Sequence, residues 1–265
     1  MGRLTEAVKH LLIINVILFL ATQVYGDQMY QWLSLWFPKN ENFQWWQVIS
    51  HMFMHGNFMH ILFNMYALWA FGTPLEQAWG RNKFLFFYFS AGLGSAFLHT
   101  GMNYYYIQEG YDILSGYISS DVYYEMLNVD SQVGTQYSGE KFYNNASKFL
   151  LNNNINPSIL NIDFQTIFDS HASLKTPAVG ASGAIYGILV AFAFMYSEAK
   201  LMLIFLPVPI KAKYFVPLLL AVDLIFGIGN INTGIAHFAH IGGALIGFIM
   251  MWYWKKNQFN QNRWN

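Results

Sequence analysis

Six stretches of the chain are mostly apolar over lengths that approach a bilayer crossing: 11–25, 58–72, 84–98, 181–197, 214–229 and 235–254. A hydrocarbon core of about 30 Å takes roughly 17–25 such residues as a helix. The last stretch, IAHFAHIGGALIGFIMMWYW, is the longest, and several others reach full length only with aromatic or polar flanks. One such run fits a buried helix of a soluble protein, whereas six in one chain point to a polytopic membrane protein. The expected fold class is all-α, a six-helix membrane bundle forming one domain over 1–265.

Two regions between the spans have a different texture. Residues 27–50 carry Trp32, Trp36, Trp45 and Trp46, the aromatic belt expected of a first loop lying at the headgroup level. Residues 100–177 form a 78-residue insertion between spans 3 and 4, with eight acids and three lysines. It is rich in Tyr, Phe and Asn rather than Gly/Ser repeats, and Asn156-Pro157 ahead of SILNIDFQTIF reads as a helix start. Short extramembrane helices joined by loops are expected there.

Composition narrows the function classes. Only 11% of the 265 residues are charged while 55% are hydrophobic, against about a quarter charged in a typical soluble domain. The formal net charge is zero, which argues against a nucleic-acid partner, since such proteins show a basic excess. With no cysteine, disulfides, thiolate metal sites and a Cys nucleophile are excluded. Ten of the fourteen cations, from Arg3 and Lys9 to Lys255, Lys256 and Arg263, precede span 1, follow span 6, or fall in the loops 2–3 and 4–5. The positive-inside rule then puts both termini in the cytoplasm and the insertion outside, as in a plasma (inner) membrane protein. Arg3 and Lys9 before LLIINVILFLA could also open a signal peptide. No A-x-A-like site follows and five more spans do, so an uncleaved span is expected.

Ionisable groups in spans mark function by default. Five of the eight histidines fall in HMFMHGNFMHILFN (51–64) and AHFAH (236–240), and a serine sits in GASG (180–183). Alternating topology brings the starts of spans 2, 4 and 6 to the same outer side, and with them His60 and Asn64, Ser182, and His240. A serine hydroxyl needs an adjacent base to become a nucleophile, and His240 or His237 can serve. His60 and Asn64, spaced i, i+4, share a helix face and could donate to an oxyanion, as could the unpaired N–H groups that open span 4. Gly183 and Gly187, like Gly243 and Gly247, have the G-x-x-x-G spacing that lets helices approach closely.

Taken together, His51-x3-His55-x4-His60-x3-Asn64, Gly180-Ala181-Ser182-Gly183 and Ala239-His240-x2-Gly243-x3-Gly247 resemble the motifs of the rhomboid intramembrane serine proteases. The resemblance implies a six-transmembrane-helix rhomboid bundle and a Ser182–His240 dyad that cleaves membrane-protein substrates at helix-destabilised transmembrane segments. It implies no cofactor and no metal, and its partners are those substrates and the lipid bilayer. His60, Asn64 and the Ser182 N–H would form the oxyanion site, and Tyr186 would pack on the His240 imidazole. His55 would be a structural hydrogen-bonding residue, Glu76 would organise the loop after span 2, and His51 and His237 would have supporting places. Two features depart from the family pattern. Gln47 follows Trp46 where the family has arginine, which leaves the anchoring of the first loop open. The other is the insertion, expected to bear on substrate selection.

After Ser182 the remaining acids are Glu198 and Asp223, both far in sequence from His240. No third-member carboxylate is evident. Asp223 reads as a structural hydrogen-bonding residue, with a relay role as the alternative. Three other functions compete. HMFMH and HFAH are similar to the histidine clusters of di-iron desaturases, which would make the chain a membrane metal enzyme. An inactive rhomboid-like binder of membrane helices is the second, and a transporter, for which matching halves are missing, the third.

Overall fold

The computed structural model describes residues 4–134, 136–203, 206–229 and 236–261. Arg3, Arg263 and Ile235, which entered the orientation and span assignments, lie outside the described residues. The chain divides into two compact units: Met1–Leu35, Trp45–His99 and Ala178–Asn265 form the first, and Trp36–Gln44 with Thr100–Pro177 the second.

The first unit opens with α1 (Glu6–Tyr25). Ala7, Val8, Leu11, Asn15 and Thr22 are buried along one side of it, while Ile14, Ile17, Leu20 and Val24 are exposed on the other. Such an outward apolar face has no use in water and suits lipid. The Glu76 carboxylate accepts from the N–H groups of Ala7 and Val8 at 2.8 and 2.9 Å, satisfying donors that a helix start leaves unpaired. Glu76 therefore serves the first turn of α1 rather than its own loop. Gly26, at φ +54°, ends α1. The helices α2 (Asp27–Leu33) and α3 (Gln47–Ser50) follow. Next, α4 (Phe58–Ala67) continues through a wider turn at Leu68–Gly72 into α5 (Thr73–Trp79).

The long α6 (Arg81–Leu114) begins in the first unit. Hydropathy predicts its apolar stretch over 84–98, but the helix runs sixteen residues further. Further helices of this unit are α10 (Ser182–Met195), α11 (Ala212–Ile228) and α12 (His237–Gln261). The connection from α10 to α11 is an antiparallel pair, β3 (Lys200–Leu203) and β4 (Leu206–Lys211). Glu198 bridges Lys211 and Lys213 there at 2.7 and 2.5 Å.

α10 and α12 meet glycine to glycine. A Cβ on Gly243 would strike the Gly183 backbone, and one on Gly247 would strike that of Gly187. Gly187 is also closed in by Ala91 of α6. Small residues thus let the backbones touch, as the G-x-x-x-G spacing predicts. Each apolar stretch of the sequence overlaps a helix, although the ends differ: 181–197 begins one residue before α10 and ends two residues after it. Among the described residues, however, α1 is the one helix whose length and composition suffice to cross a membrane, with mean hydropathy 1.8. The others fall short for local reasons. α10 has 14 residues and α11 has 17, and α12 opens with two histidines.

The second unit contains the end of α6, α7 (Ser120–Leu127), the short pair β1 (Gln132–Val133) and β2 (Gln136–Tyr137), α8 (Gly139–Asn152) and α9 (Phe164–Lys175). Ser119, Ser138 and Asp163 cap α7, α8 and α9 through their side chains. Phe142, Ala146 and Leu150, four apart on α8, face a core with Ile107, Tyr123, Leu160 and Leu174. Asn156 accepts from Ser158 N and opens a tight turn at Pro157–Asn161. At the centre, His171 is fully buried, with Nδ1 donating to Leu127 O (2.7 Å) and Nε2 facing Ser131 Oγ (2.5 Å). Burial pushes its pKa down to about 4.

Residues 36–44 belong to this unit. Phe37 enters its core, Asn40 Nδ2 donates to Leu174 O at 2.9 Å, and Lys39 Nζ sits 3.8 Å above the Tyr124 ring. The stretch 27–50 is divided between the two units. Its flanks join the first unit, where Trp32 and Trp45 are exposed, and its middle joins the second.

Candidate active site

The segment leading into α10 is held at fixed points. Leu35 and Ala178 exchange backbone hydrogen bonds of 2.9 Å, and Gly180 N donates to His51 O at 2.9 Å. Gly180 has φ +125°, and a Cβ there would lie 2.8 Å from His60 Nε2. Backbone conformation and space both require glycine. The chain then turns into α10 with Ser182 as its first helical residue, whose N–H has no intrahelical partner by position.

Ser182 Oγ lies 2.9 Å from Nε2 of His240, in the first turn of α12. Tyr186, one turn after the serine, stacks on that imidazole with ring centroids 4.1 Å apart and planes 12° apart. On α4, Asn57 caps the helix by accepting from His60 N at 2.8 Å. Gly56 N donates to His60 Nδ1 at 3.4 Å. A neutral imidazole that accepts at Nδ1 carries its proton on Nε2, and that nitrogen is the one beside Gly180. Asn64 is buried, with Nδ2 donating to His60 O at 3.0 Å and a second amide hydrogen remaining.

The other expected residues take definite places. His51 Nδ1 bonds Gln47 O at 2.8 Å. Gln47 is fully buried, and its Nε2 donates to Gln31 O at 2.9 Å, so it ties the first loop by neutral hydrogen bonds. Trp46 Nε1 and Ser50 Oγ add bonds to Trp32 O and Leu33 O. His55 departs from expectation. Its ring nitrogens are buried without a well-formed hydrogen bond, and the ring packs edge-on against His60 at 5.0 Å. The polar link at this position is its backbone carbonyl, which accepts from Tyr30 Oη at 3.1 Å.

Asp223 corrects the sequence reading most. It is buried on α11, and its Oδ1 lies 2.6 Å from His237 Nδ1 and 3.1 Å from His240 Nδ1. A carboxylate does stand beside His240. The distance of 17 residues was misleading because α11 and α12 pack side by side. A usable signal was present, since an aspartate in an apolar helix needs a partner and His237 and His240 share one face at i, i+3. Among the described residues, no group of three or more His, Asp or Glu side chains is arranged to hold a metal ion.

A family model for the Rhomboid domain matches residues 42–119 and 149–257. The chain belongs to the rhomboid family. Members of that family are integral membrane proteins and usually intramembrane serine proteases. The matched segments contain every residue of the rhomboid-like motifs and leave 120–148 between them unmatched. In this rhomboid the start of α10 thus brings together a hydroxyl, an imidazole facing it, a carboxylate behind the imidazole, and N–H donors on the remaining side. Such a set can move a proton away from an attacking oxygen and hold a developing negative charge.

Proposed function

We propose that this protein is an intramembrane serine endopeptidase that hydrolyses peptide bonds in or near transmembrane segments of other membrane proteins. The observation that carries the proposal is the 2.9 Å approach of Ser182 Oγ to His240 Nε2 where two helices meet backbone to backbone. The reading includes six membrane spans with both termini cytoplasmic, and a site opening to the outer side of the plasma membrane. The outward apolar residues of α1, α11 and α12, among them Ile17, Ile225 and Phe248, support the spans.

Ser182 Oγ attacks the scissile carbonyl carbon while its proton passes to His240 Nε2 and the carbonyl π pair moves to oxygen. The Ser182 N–H, the His60 Nε2–H and the Asn64 amide stabilise that oxyanion. Its collapse restores the carbonyl and breaks the C–N bond, and His240 returns the proton to the leaving amine. Water then releases the acyl group by the same steps. An intact substrate helix ties up its carbonyls in i→i−4 bonds, so segments weakened by Gly or Pro are the expected substrates.

The test is cleavage of a model transmembrane substrate by reconstituted wild type, Ser182→Ala and His240→Ala. Wild type should cleave and both variants should not. Equal cleavage by wild type and Ser182→Ala would refute the assignment. An inert wild type that still binds the substrate would identify a helix-binding member of the family instead.

A further inference from the structure

We infer that Asp223 is a positioning residue for His240. It fixes the imidazole tautomer and balances the charge that forms on it, with His237 as the second donor that holds the carboxylate in place. The inference rests on the peptidase reading of Ser182 and His240.

Asp223 is almost wholly buried, and so is His237. Both imidazoles converge on the same oxygen, Oδ1, while Oδ2 lacks a well-formed hydrogen bond and the Tyr186 hydroxyl is a further polar group interacting with the carboxylate. A neutral imidazole has a single N–H. A carboxylate can only accept, so His240 must place that proton on Nδ1 to bond Asp223. Nε2 is then left with its lone pair, 2.9 Å from Ser182 Oγ. That is the tautomer a general base needs, and among the described residues Asp223 is the group that accepts from Nδ1.

The second effect is electrostatic. When His240 takes the serine proton it becomes a buried cation, which is costly unless paired. His60 on α4 and His99 on α6 also act on His240 electrostatically, and neither can supply a negative charge. Asp223 can, from the opposite edge of the same ring. It accepts no proton in the cycle. His237 also has a structural role, since its Cβ and the Phe238 ring close over Gly227 of α11 and hold the end of that helix against α12.

Asparagine is the informative replacement, because it keeps the size and one acceptor but has no charge and can present its NH2 instead. In lipid-reconstituted full-length protein, Asp223→Asn should lower kcat by up to roughly 10⁴-fold, the loss seen when the carboxylate of a Ser-His-Asp triad is neutralised. KM should change by less than about 3-fold. The acid limb of the kcat–pH profile should move, and Asp223→Glu should recover part of the rate. A merely structural Asp223 predicts the opposite pattern, with lower melting temperature but unchanged kcat and pH profile in the folded fraction. That result would overturn the inference while leaving Ser182 and His240 in place. A second measurement does not depend on the variants folding. In wild-type protein labelled with 15N-histidine, His240 should show the Nδ1–H tautomer, and an Nε2–H tautomer would overturn the inference. If wild type and Ser182→Ala cleave alike, the peptidase reading fails, and the tautomer still decides the role of Asp223.

Discussion

The Tyr186 ring lies flat on the His240 imidazole, 4.1 Å between centroids, while Asp223 holds the ring edge at Nδ1. One partner restricts tilt and the other restricts rotation, so the imidazole is held on two axes. Tyr186→Phe keeps the face and loses the hydroxyl with its interaction with the Asp223 carboxylate. Its rate of labelling by a fluorophosphonate should stay within about 3-fold of wild type, whereas Tyr186→Ala should lose roughly 10–100-fold through misplacement of the base. Equal rates for the two variants would show that the stacking is incidental.

The glycine contact between α10 and α12 predicts a steep cost for added bulk. Gly243→Ala places a methyl group into the Gly183 backbone, where no side chain can move aside. Forced separation of packed helices costs roughly 1–3 kcal/mol, and the hydrogen bond from Ser182 to His240 would lengthen with it. The variant should melt lower in detergent and also lose activity when folded. Gly116, with open space around its Cβ position, provides a control substitution that should leave both unchanged.

His171 predicts an acid-labile second unit. Its pKa in the fold is about 4, below the ordinary 6.5, because burial disfavours the charged ring more than the Leu127 carbonyl supports it. Between those values the unfolded chain binds more protons than the folded one, so stability rises with pH across this window. It is complete above about pH 6.5 and is lost progressively as the pH falls towards 4, by up to about 3 kcal/mol. The protection factors of the α8 and α9 amides, with the intrinsic pH dependence of exchange divided out, should fall in wild type from pH 7 to 4. In His171→Gln the pH dependence should largely vanish, and an unchanged slope would assign it to other groups such as Asp130.

Much of this architecture was legible because hydropathy and short motifs are local. The serine, the histidine two helices later and the paired glycines lie on helix ends and faces that spacing alone predicts. Several of the unexpected features involve partners distant along the chain. Hydropathy locates where residues turn polar, not where hydrogen bonding stops, so α6 continues past His99 through MNYYYIQEGYDIL. Glu76 finds the amides of Ala7 and Val8, 69 and 68 residues away. Gln47 replaces an expected cation and still anchors the first loop, because three backbone-directed side chains, Trp46, Gln47 and Ser50, share the task. His55 has the spacing of a hydrogen-bonding residue, yet its ring nitrogens are buried without a well-formed hydrogen bond and the ring packs edge-on against His60, which no pattern of residue types encodes.

The place of Phe37 and Asn40 has a practical consequence for anyone exchanging parts between members of this family. The second unit is assembled from two pieces of chain, with 36–44 supplying a core ring and a bond to the last carbonyls of α9. Cutting out 100–177 alone would strand an apolar Phe37 in the first loop and open a hole in the excised fragment. A clean transplant has to carry both pieces, and insertion and first loop are therefore expected to vary together as a single heritable cassette.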